Sequence, residues 1–404
     1  MTIINNDIND GETIKTRLSN GISLARIFAM LWIFSINLLP FAFGMYYDKP
    51  YEYALENNGN FIELANSNTW WADRAYFFFA FSGWTGVILF VFLSGFSMWL
   101  SILSSRKFDL KSFFLKRFNS VYVPYFFAAM AAFFVVVVFL RRMPGDYDFV
   151  SLLMGASKLV PRVQAYNSPL WFITLIFSCY LLFPIIPALY SKFRFKGIML
   201  VFATSSAVWL YAWGGSHYLA QAFKVSMYPI VPFFVIMCLG VIAAHSIHNY
   251  FGSDFRKKFK KYENNFIKTA IVFYSIFLYV FFGEISFDPE DQWAANNWIF
   301  YGKYILTPIA GIMVLAIGYF LPLRCYSLIR RLSRGTFAFF LYHYLIILFV
   351  FSYLKLNIVG YHISADFIVL YLIMLVGFSI FQSFFDKIIG KKIKKLSEKE
   401  YIIN

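Results

Sequence analysis

Long apolar segments follow one another along this chain and are separated by short polar breaks. A bilayer core about 30 Å thick is crossed by a helix of about 20 apolar residues, and these segments reach that length. The composition agrees, because 60% of the residues are hydrophobic and only 14% are charged. Only helices and closed barrels satisfy the backbone inside lipid. The sequence therefore predicts an all-α, polytopic membrane protein.

The apolar runs predict about ten transmembrane helices. We expect a cytoplasmic N-terminal segment at 1–21, a membrane domain at 22–386 and a basic cytoplasmic tail at 387–404. The predicted spans are 22–46, 76–103, 119–140, 168–190, 197–215, 227–248, 266–284, 298–321, 335–353 and 365–386.

The positions of the basic residues predict the orientation of these spans. With the N-terminus inside, the six inside segments hold most of the 36 Lys and Arg residues. Basic residues concentrate on the cytoplasmic side of membrane proteins, so we expect both termini in the cytoplasm. The net charge of +15 then needs no nucleic acid as a partner. The basic runs at 106–117 and 255–261 suit either anionic lipid or a phosphorylated cytosolic donor.

The opening apolar helix carries two polar side chains, Arg26 and Asn37. Eleven residues at about 100° each return to nearly the same helix face, with a rise of about 16 Å. The arginine is therefore expected at one interface and the amide deep inside the bilayer. Polar side chains at that depth are costly and are candidates for function.

Other polar features have both a structural and a functional interpretation. His343 lies about 12 Å into the ninth predicted span, where it either makes a structural hydrogen bond or transfers a proton. Ser94 and Gly95 indicate either close helix packing or a route for an acyl arm. The outside residues Trp70, Trp71 and Asp73 suit either an interfacial aromatic belt or a sugar. No group of residues resembles a metal-ligand cluster.

Five segments, taken together and in order, resemble the membrane acyltransferase family called acyltransferase 3. Each is short and apolar, but their order and the ten spans make the resemblance specific. They are LARIFAMLWIFSIN, GVILFVFLSGFSMWL, FFLKRFNSVYVPY, SPLWFITLIFSCYLLFP and SRGTFAFFLYHYLII.

The resemblance implies O-acetylation of a cell-surface glycan, such as O-antigen or exopolysaccharide, at the bacterial inner membrane. Acyl-CoA would be the co-substrate, with no permanently bound cofactor. The donor would meet Arg26, Lys116 and Arg117, with Ser94 and Gly95 lining the acyl route. The glycan would meet the outside aromatic residues, with Trp171 packing beside the site. Membrane lipid and other envelope glycan-assembly proteins are the expected partners.

Two positions depart from the pattern that the resemblance implies. The family carries a histidine eleven residues after its arginine, and here that position is Asn37. The second of two arginines spaced three apart falls on Ser120. An amide cannot act as a base near neutral pH, although it can orient a hydroxyl. His343 is therefore the remaining candidate base.

These departures leave a second class of function open, a catalytically inactive relative that binds or translocates a glycan. A third class, a secondary transporter, has less support. The sequence shows no internal repeat and few charges within the predicted spans.

Overall fold

The computed structural model is helical throughout the residues that it describes. Within α1, the side chains are described from Leu18 to Leu38. The described ranges are 2–42, 83–105, 108–139, 150, 153–154, 170–214, 230–250, 309, 311–315, 326–349 and 368–383.

Eleven helices are labelled here in chain order. The first six are α1 (Thr2–Ala42), α2 (Trp84–Ser105), α3 (Leu110–Arg117), α4 (Val123–Phe134), α5 (Trp171–Leu182) and α6 (Ile185–Phe193). The others are α7 (Phe195–Gly214), α8 (Ile230–Tyr250), α9 (Tyr326–Arg334), α10 (Thr336–Leu348) and α11 (Ile368–Ser383). Two π-helical segments, Phe118–Tyr122 and Val135–Phe139, flank α4.

Four segments of the described chain are long and apolar enough to cross a membrane. They are Leu18–Leu38, Thr85–Ser105, Trp171–Phe193 and Ile230–Asn249. The all-α membrane class predicted from the sequence is confirmed. The count of ten spans and the cytoplasmic termini stay predictions, and the seventh predicted span, 266–284, lies outside the described residues.

Helix α2 occupies the middle of the bundle, between α1 and α8. Inside lipid, helices associate through close packing, and small residues allow their backbones to approach. Gly95 of α2 packs against the Met237 carbonyl of α8, while Gly240 of α8 packs against the Phe92 carbonyl of α2. Gly86 makes a similar approach to Ala29 of α1. These glycines draw three helices into direct backbone contact.

The remaining helices pack around this centre. Helix α1 also contacts α9 and α10, while α8 also contacts α5 and α7. Bulky side chains fill the interior, and several are almost completely buried. The largest of these include Trp32, Trp99, Tyr125, Phe34, Phe92, Phe96, Phe183 and Phe339.

Proline and capping residues explain two local features. Pro184 follows Phe183 in the turn that separates α5 from α6. Proline has no backbone N–H, so a helix breaks or bends around it. The basic run at 106–117, which precedes the third predicted span, contains helix α3. The Asp109 carboxylate caps this helix by accepting a hydrogen bond from the Ser112 N–H at 2.8 Å.

Candidate active site

His343 lies on α10, and its imidazole is completely buried. Its Nδ1 atom is 2.7 Å from the Phe340 carbonyl oxygen and 3.1 Å from that of Phe339. Carbonyl oxygens only accept hydrogen bonds, so Nδ1 carries the ring proton. In the neutral ring Nε2 then holds a lone pair, and it has no hydrogen-bond partner in the described part of the chain. This tautomer is the one in which Nε2 can accept a proton.

Aromatic rings surround this histidine and connect it to the opening helix. The His343 ring centroid is 6.0 Å from that of Phe340, 6.1 Å from that of Phe339 and 6.2 Å from that of Phe34. Phe34 belongs to α1 and lies eight residues after Arg26, a rise of about 12 Å. The structure thus brings the late histidine against the helix on which the sequence placed Arg26 and Asn37.

Asn37 lies almost one turn beyond Phe34 on α1 and is half-buried. Its Nδ2 group donates a 2.7 Å hydrogen bond to the Ile33 carbonyl oxygen. This bond uses one of the two N–H groups of the amide. The fixed amide is suited to orienting a polar group, and it has no capacity to act as a base.

Arg117 ends α3 and lies among aromatic rings. Its guanidinium carbon is 5.6 Å from the ring centroid of Phe113 and 5.5 Å from that of Tyr180. Such distances are typical of cation–π contacts. The Arg117 Nε–H is buried and has no partner among the described residues. Its neighbour Lys116, the other predicted donor contact on α3, is exposed.

Arg26, which lies on α1, is close to this group as well. It lies within electrostatic range of both the Tyr180 hydroxyl and the Arg117 guanidinium. Among the residues whose side chains are described, Asp109 is the only acidic one, and it caps α3. The two arginines predicted from the sequence are therefore close enough to repel each other, and no carboxylate with a described side chain lies between α1 and α3 to neutralise them, which favours an anionic ligand.

Other predicted site residues are placed by packing. Ser94 donates a 2.9 Å hydrogen bond to the Phe90 carbonyl, and Gly95 packs against Met237. Their contact with an acyl group stays a prediction. Trp171 is buried at the start of α5, with its ring centroid 6.4 Å from that of Phe233. Trp70, Trp71 and Asp73 lie outside the described residues.

Two tyrosines at this site were not found from the sequence. Tyr180 contacts Arg117, and Tyr371 donates a 2.8 Å hydrogen bond to the Ile27 carbonyl. A tyrosine within an apolar run was the available signal, because its hydroxyl seeks a partner when it is buried. Tyrosine is also common at membrane interfaces, so a tyrosine in an apolar run does not by itself distinguish a buried site residue from an interfacial one.

The residues brought together here fall within one recognised domain. A family model described as an acyltransferase domain, that of acyltransferase 3, matches residues 19–382. The chain belongs to the acyltransferase 3 family. Comparisons with curated proteins and with solved structures gave no match.

Membership of the acyltransferase 3 family makes the chain a membrane acyltransferase by family. The matched region begins within α1, at residue 19, and ends within α11, at residue 382, so it includes all the described residues of the candidate site. Ser120, one of the two departures from the pattern, lies exposed in the π-helical segment Phe118–Tyr122 that follows Arg117.

Proposed function

We propose that the protein transfers an acyl group, such as acetyl, from acyl-CoA to a hydroxyl of a cell-surface glycan such as O-antigen or exopolysaccharide. The observation that carries this proposal is the buried lone pair on His343 Nε2 in a chain of the acyltransferase 3 family. The proposed location is the bacterial inner membrane, with both termini in the cytoplasm. Other envelope glycan-assembly proteins are the proposed partners.

His343 acts as the base in this reaction. As the acceptor hydroxyl oxygen attacks the thioester carbonyl carbon, Nε2 takes the hydroxyl proton. The C–S bond then breaks, and the imidazolium returns the proton to the departing thiolate. The two carbonyls at Nδ1 fix the ring in the reactive tautomer. General base catalysis of this kind contributes roughly 10²- to 10⁴-fold in rate.

The acceptor reaches Nε2 when the surrounding aromatic rings separate, because solvent does not reach this nitrogen in the observed arrangement. Exclusion of water protects a thioester from hydrolysis and strengthens electrostatic interactions within the site. Asn37, on the same helix as Phe34, would orient the hydroxyl.

Arg26 and Arg117 receive the phosphates of the donor. Arginine binds phosphate through several directed N–H groups, and the Arg117 Nε–H has no partner in the described part of the chain. Lys116, Ser94 and Gly95 would lie along the donor route. Trp70, Trp71 and Asp73 would contact the glycan, with Trp171 packed behind them.

The test is acetyl transfer from labelled acetyl-CoA, measured as label retained in envelope glycan by membranes that contain the parent chain or a variant. His343→Gln replaces the imidazole with an amide of similar length, which cannot take up a proton. We expect the rate to fall at least about 100-fold. His248→Ala is the matched control, since this histidine is exposed at the end of α8, and it should retain the parent rate.

Near-parent transfer by a folded His343→Gln protein would remove His343 as the base. If the parent chain transfers no label but still binds glycan, the inactive glycan-binding relative is the correct function. Asn37 and Ser120, which replace the residues of the family pattern, are the observations that favour this second candidate.

A further inference from the structure

Four aromatic side chains from four helices meet away from His343. This group, called here the Trp99 cluster, consists of Trp99 (α2), Tyr190 (α6), Phe195 (α7) and His245 (α8). The ring centroid of Trp99 is 5.0 Å from that of Tyr190 and 6.2 Å from that of His245. Phe195 stacks on His245 at 5.0 Å. The cluster lies at the end of the bundle where the charge pattern predicts the cytoplasm.

Two hydrogen-bond donors inside the cluster lack partners. The Asn249 side-chain amide lies 2.7 Å from His245 Nε2 and donates to it, so the proton of the neutral ring is on Nδ1. This Nδ1–H and the Trp99 Nε1–H are both buried without a partner in the described part of the chain. Trp99 is 0% exposed and His245 is 6% exposed. Buried donors of this kind are destabilising unless an acceptor reaches them.

Basic residues lie at the turn between α6 and α7, close in sequence to two members of the cluster, Tyr190 and Phe195. Lys192 is in the last turn of α6, Lys196 is in the first turn of α7, and Arg194 lies between the helices, where its N–H donates to the Tyr190 carbonyl at 2.8 Å. Arg194 has φ 54° and ψ −140°, a conformation that favours glycine. An arginine is therefore present where the backbone would prefer no side chain. The acceptor that fits these donors is an anion.

The outer surface beside the turn is apolar. Large side chains of α5, α6 and α7 lie uncovered by protein there, which inside a bilayer means that they face acyl chains. They include Leu181 (68% exposed), Ile185, Phe193, Met199 and Leu200. An anionic group attached to hydrocarbon chains therefore matches both parts of this surface.

We propose that the Trp99 cluster binds the phosphate of an anionic phospholipid, with the lipid acyl chains along α6 and α7. The phosphate oxygen accepts from Trp99 Nε1–H and His245 Nδ1–H, and the basic turn neutralises its charge. Tyr190, whose ring stands edge-on to both Trp99 and His245, turns aside to admit the headgroup. This site is separate from His343 and does not depend on the acyl-transfer proposal.

The test uses the full chain, purified in detergent and offered equal amounts of phosphatidylglycerol and phosphatidylcholine. Native mass spectrometry reports which lipid is retained. We expect the parent chain to prefer phosphatidylglycerol. The double variant Trp99→Phe/His245→Phe keeps an aromatic ring at both positions but removes both donors, and its preference for phosphatidylglycerol should fall about tenfold. Tyr211→Phe, at an exposed position near the other end of α7, is the control and should bind as the parent does.

A second variant does not disturb the buried rings. Arg194→Gly removes one charge at a backbone position that suits glycine, so the turn should be kept. We expect a loss of about fivefold in the preference for phosphatidylglycerol. Thermal unfolding in phosphatidylcholine should be unchanged or shifted upward.

Three results would overturn the proposal. The first is equal retention of phosphatidylglycerol by the parent chain and Arg194→Gly. The second is an unchanged preference in a folded double variant, as expected if water alone satisfies the two donors. The third is protection against thermal unfolding by inorganic phosphate equal to that by the lipid, which would assign the site to a soluble anion.

Discussion

The Tyr371 hydroxyl donates a 2.8 Å hydrogen bond to the carbonyl oxygen of Ile27, 344 positions earlier in the chain. This bond joins α11 to α1 directly after Arg26. The Tyr371 ring also lies 5.9 Å from Phe34 and 5.5 Å from Phe339, measured between centroids. The last described helix thus supports the two rings that pack against His343.

Replacing Tyr371 with phenylalanine should weaken the attachment of α11 to α1. We expect Tyr371→Phe to lower the free energy of unfolding by about 1 kcal/mol, because one largely buried hydrogen bond is lost while the ring remains. Unfolding by sodium dodecyl sulfate measures this change. Tyr211→Phe, at a site that is 59% exposed on α7, is the control and should leave stability unchanged. Equal effects of the two substitutions would contradict the importance of the bond.

The glycine contacts between α2 and α8 predict a large difference between two similar substitutions. In Gly95→Ala the new Cβ meets the Met237 carbonyl, so we expect a destabilisation of about 1–3 kcal/mol. Gly377→Ala is the control, because nothing lies within 4 Å of its Cβ. Alanine there should stabilise α11 by roughly 0.5–1 kcal/mol. The same unfolding assay compares them, and a stable Gly95→Ala protein would disprove the close approach.

Binding of acyl-CoA should depend on the shape of the Arg117 side chain as well as on its charge. Arg117→Lys keeps the charge but loses the planar group between Phe113 and Tyr180. We expect the KM for acyl-CoA to rise about tenfold, consistent with loss of one charge-assisted contact. The control is Lys111→Ala, which removes a charge from an exposed position on the same helix. If Lys111→Ala raises KM more than Arg117→Lys does, net charge alone governs donor binding.

Asn37 should contribute more to binding of the acceptor glycan than to binding of the donor acyl-CoA. Asn37→Ala removes an amide held by Ile33, and we expect the KM for the glycan to rise about three- to tenfold, the range for one neutral hydrogen bond. Ser104→Ala removes a comparable bond to the Leu100 carbonyl from an exposed position and should have no effect.

The reverse substitution tests where the base lies. With His343 as the base, Asn37→His should transfer acetyl no faster than the parent chain. A large gain in rate would instead mark the opening helix as the place where a base has been lost.

The apolar runs located the described helices to within a few residues in most cases, because length and hydropathy are local properties. The second span was predicted to begin at 76; α2 begins at Trp84, and 76–82 lies outside the described residues. The opening helix was expected from 22, whereas α1 begins at Thr2, since polar residues continue a helix without entering an apolar run. Helix α3 was missed because its signal is the Asp109 cap and not hydropathy.

The contacts within the candidate site could not be predicted as well from the sequence. The sequence identified His343 as a buried imidazole that needs a partner, but its two carbonyl partners depend on the side-chain conformation. The meeting of Arg117 with Tyr180 depends on how α3 packs against α5. Contacts between distant segments require the tertiary arrangement, which a single sequence does not reveal.

The reciprocal glycines of α2 and α8 limit how this protein can move. Gly95 faces the Met237 backbone and Gly240 faces the Phe92 backbone, so sliding or rolling of either helix forces main-chain atoms into one another. Packed interiors resist such deformation. The two helices therefore form a rigid pair, and we expect any movement that admits a substrate to occur in the helices on either side of this pair.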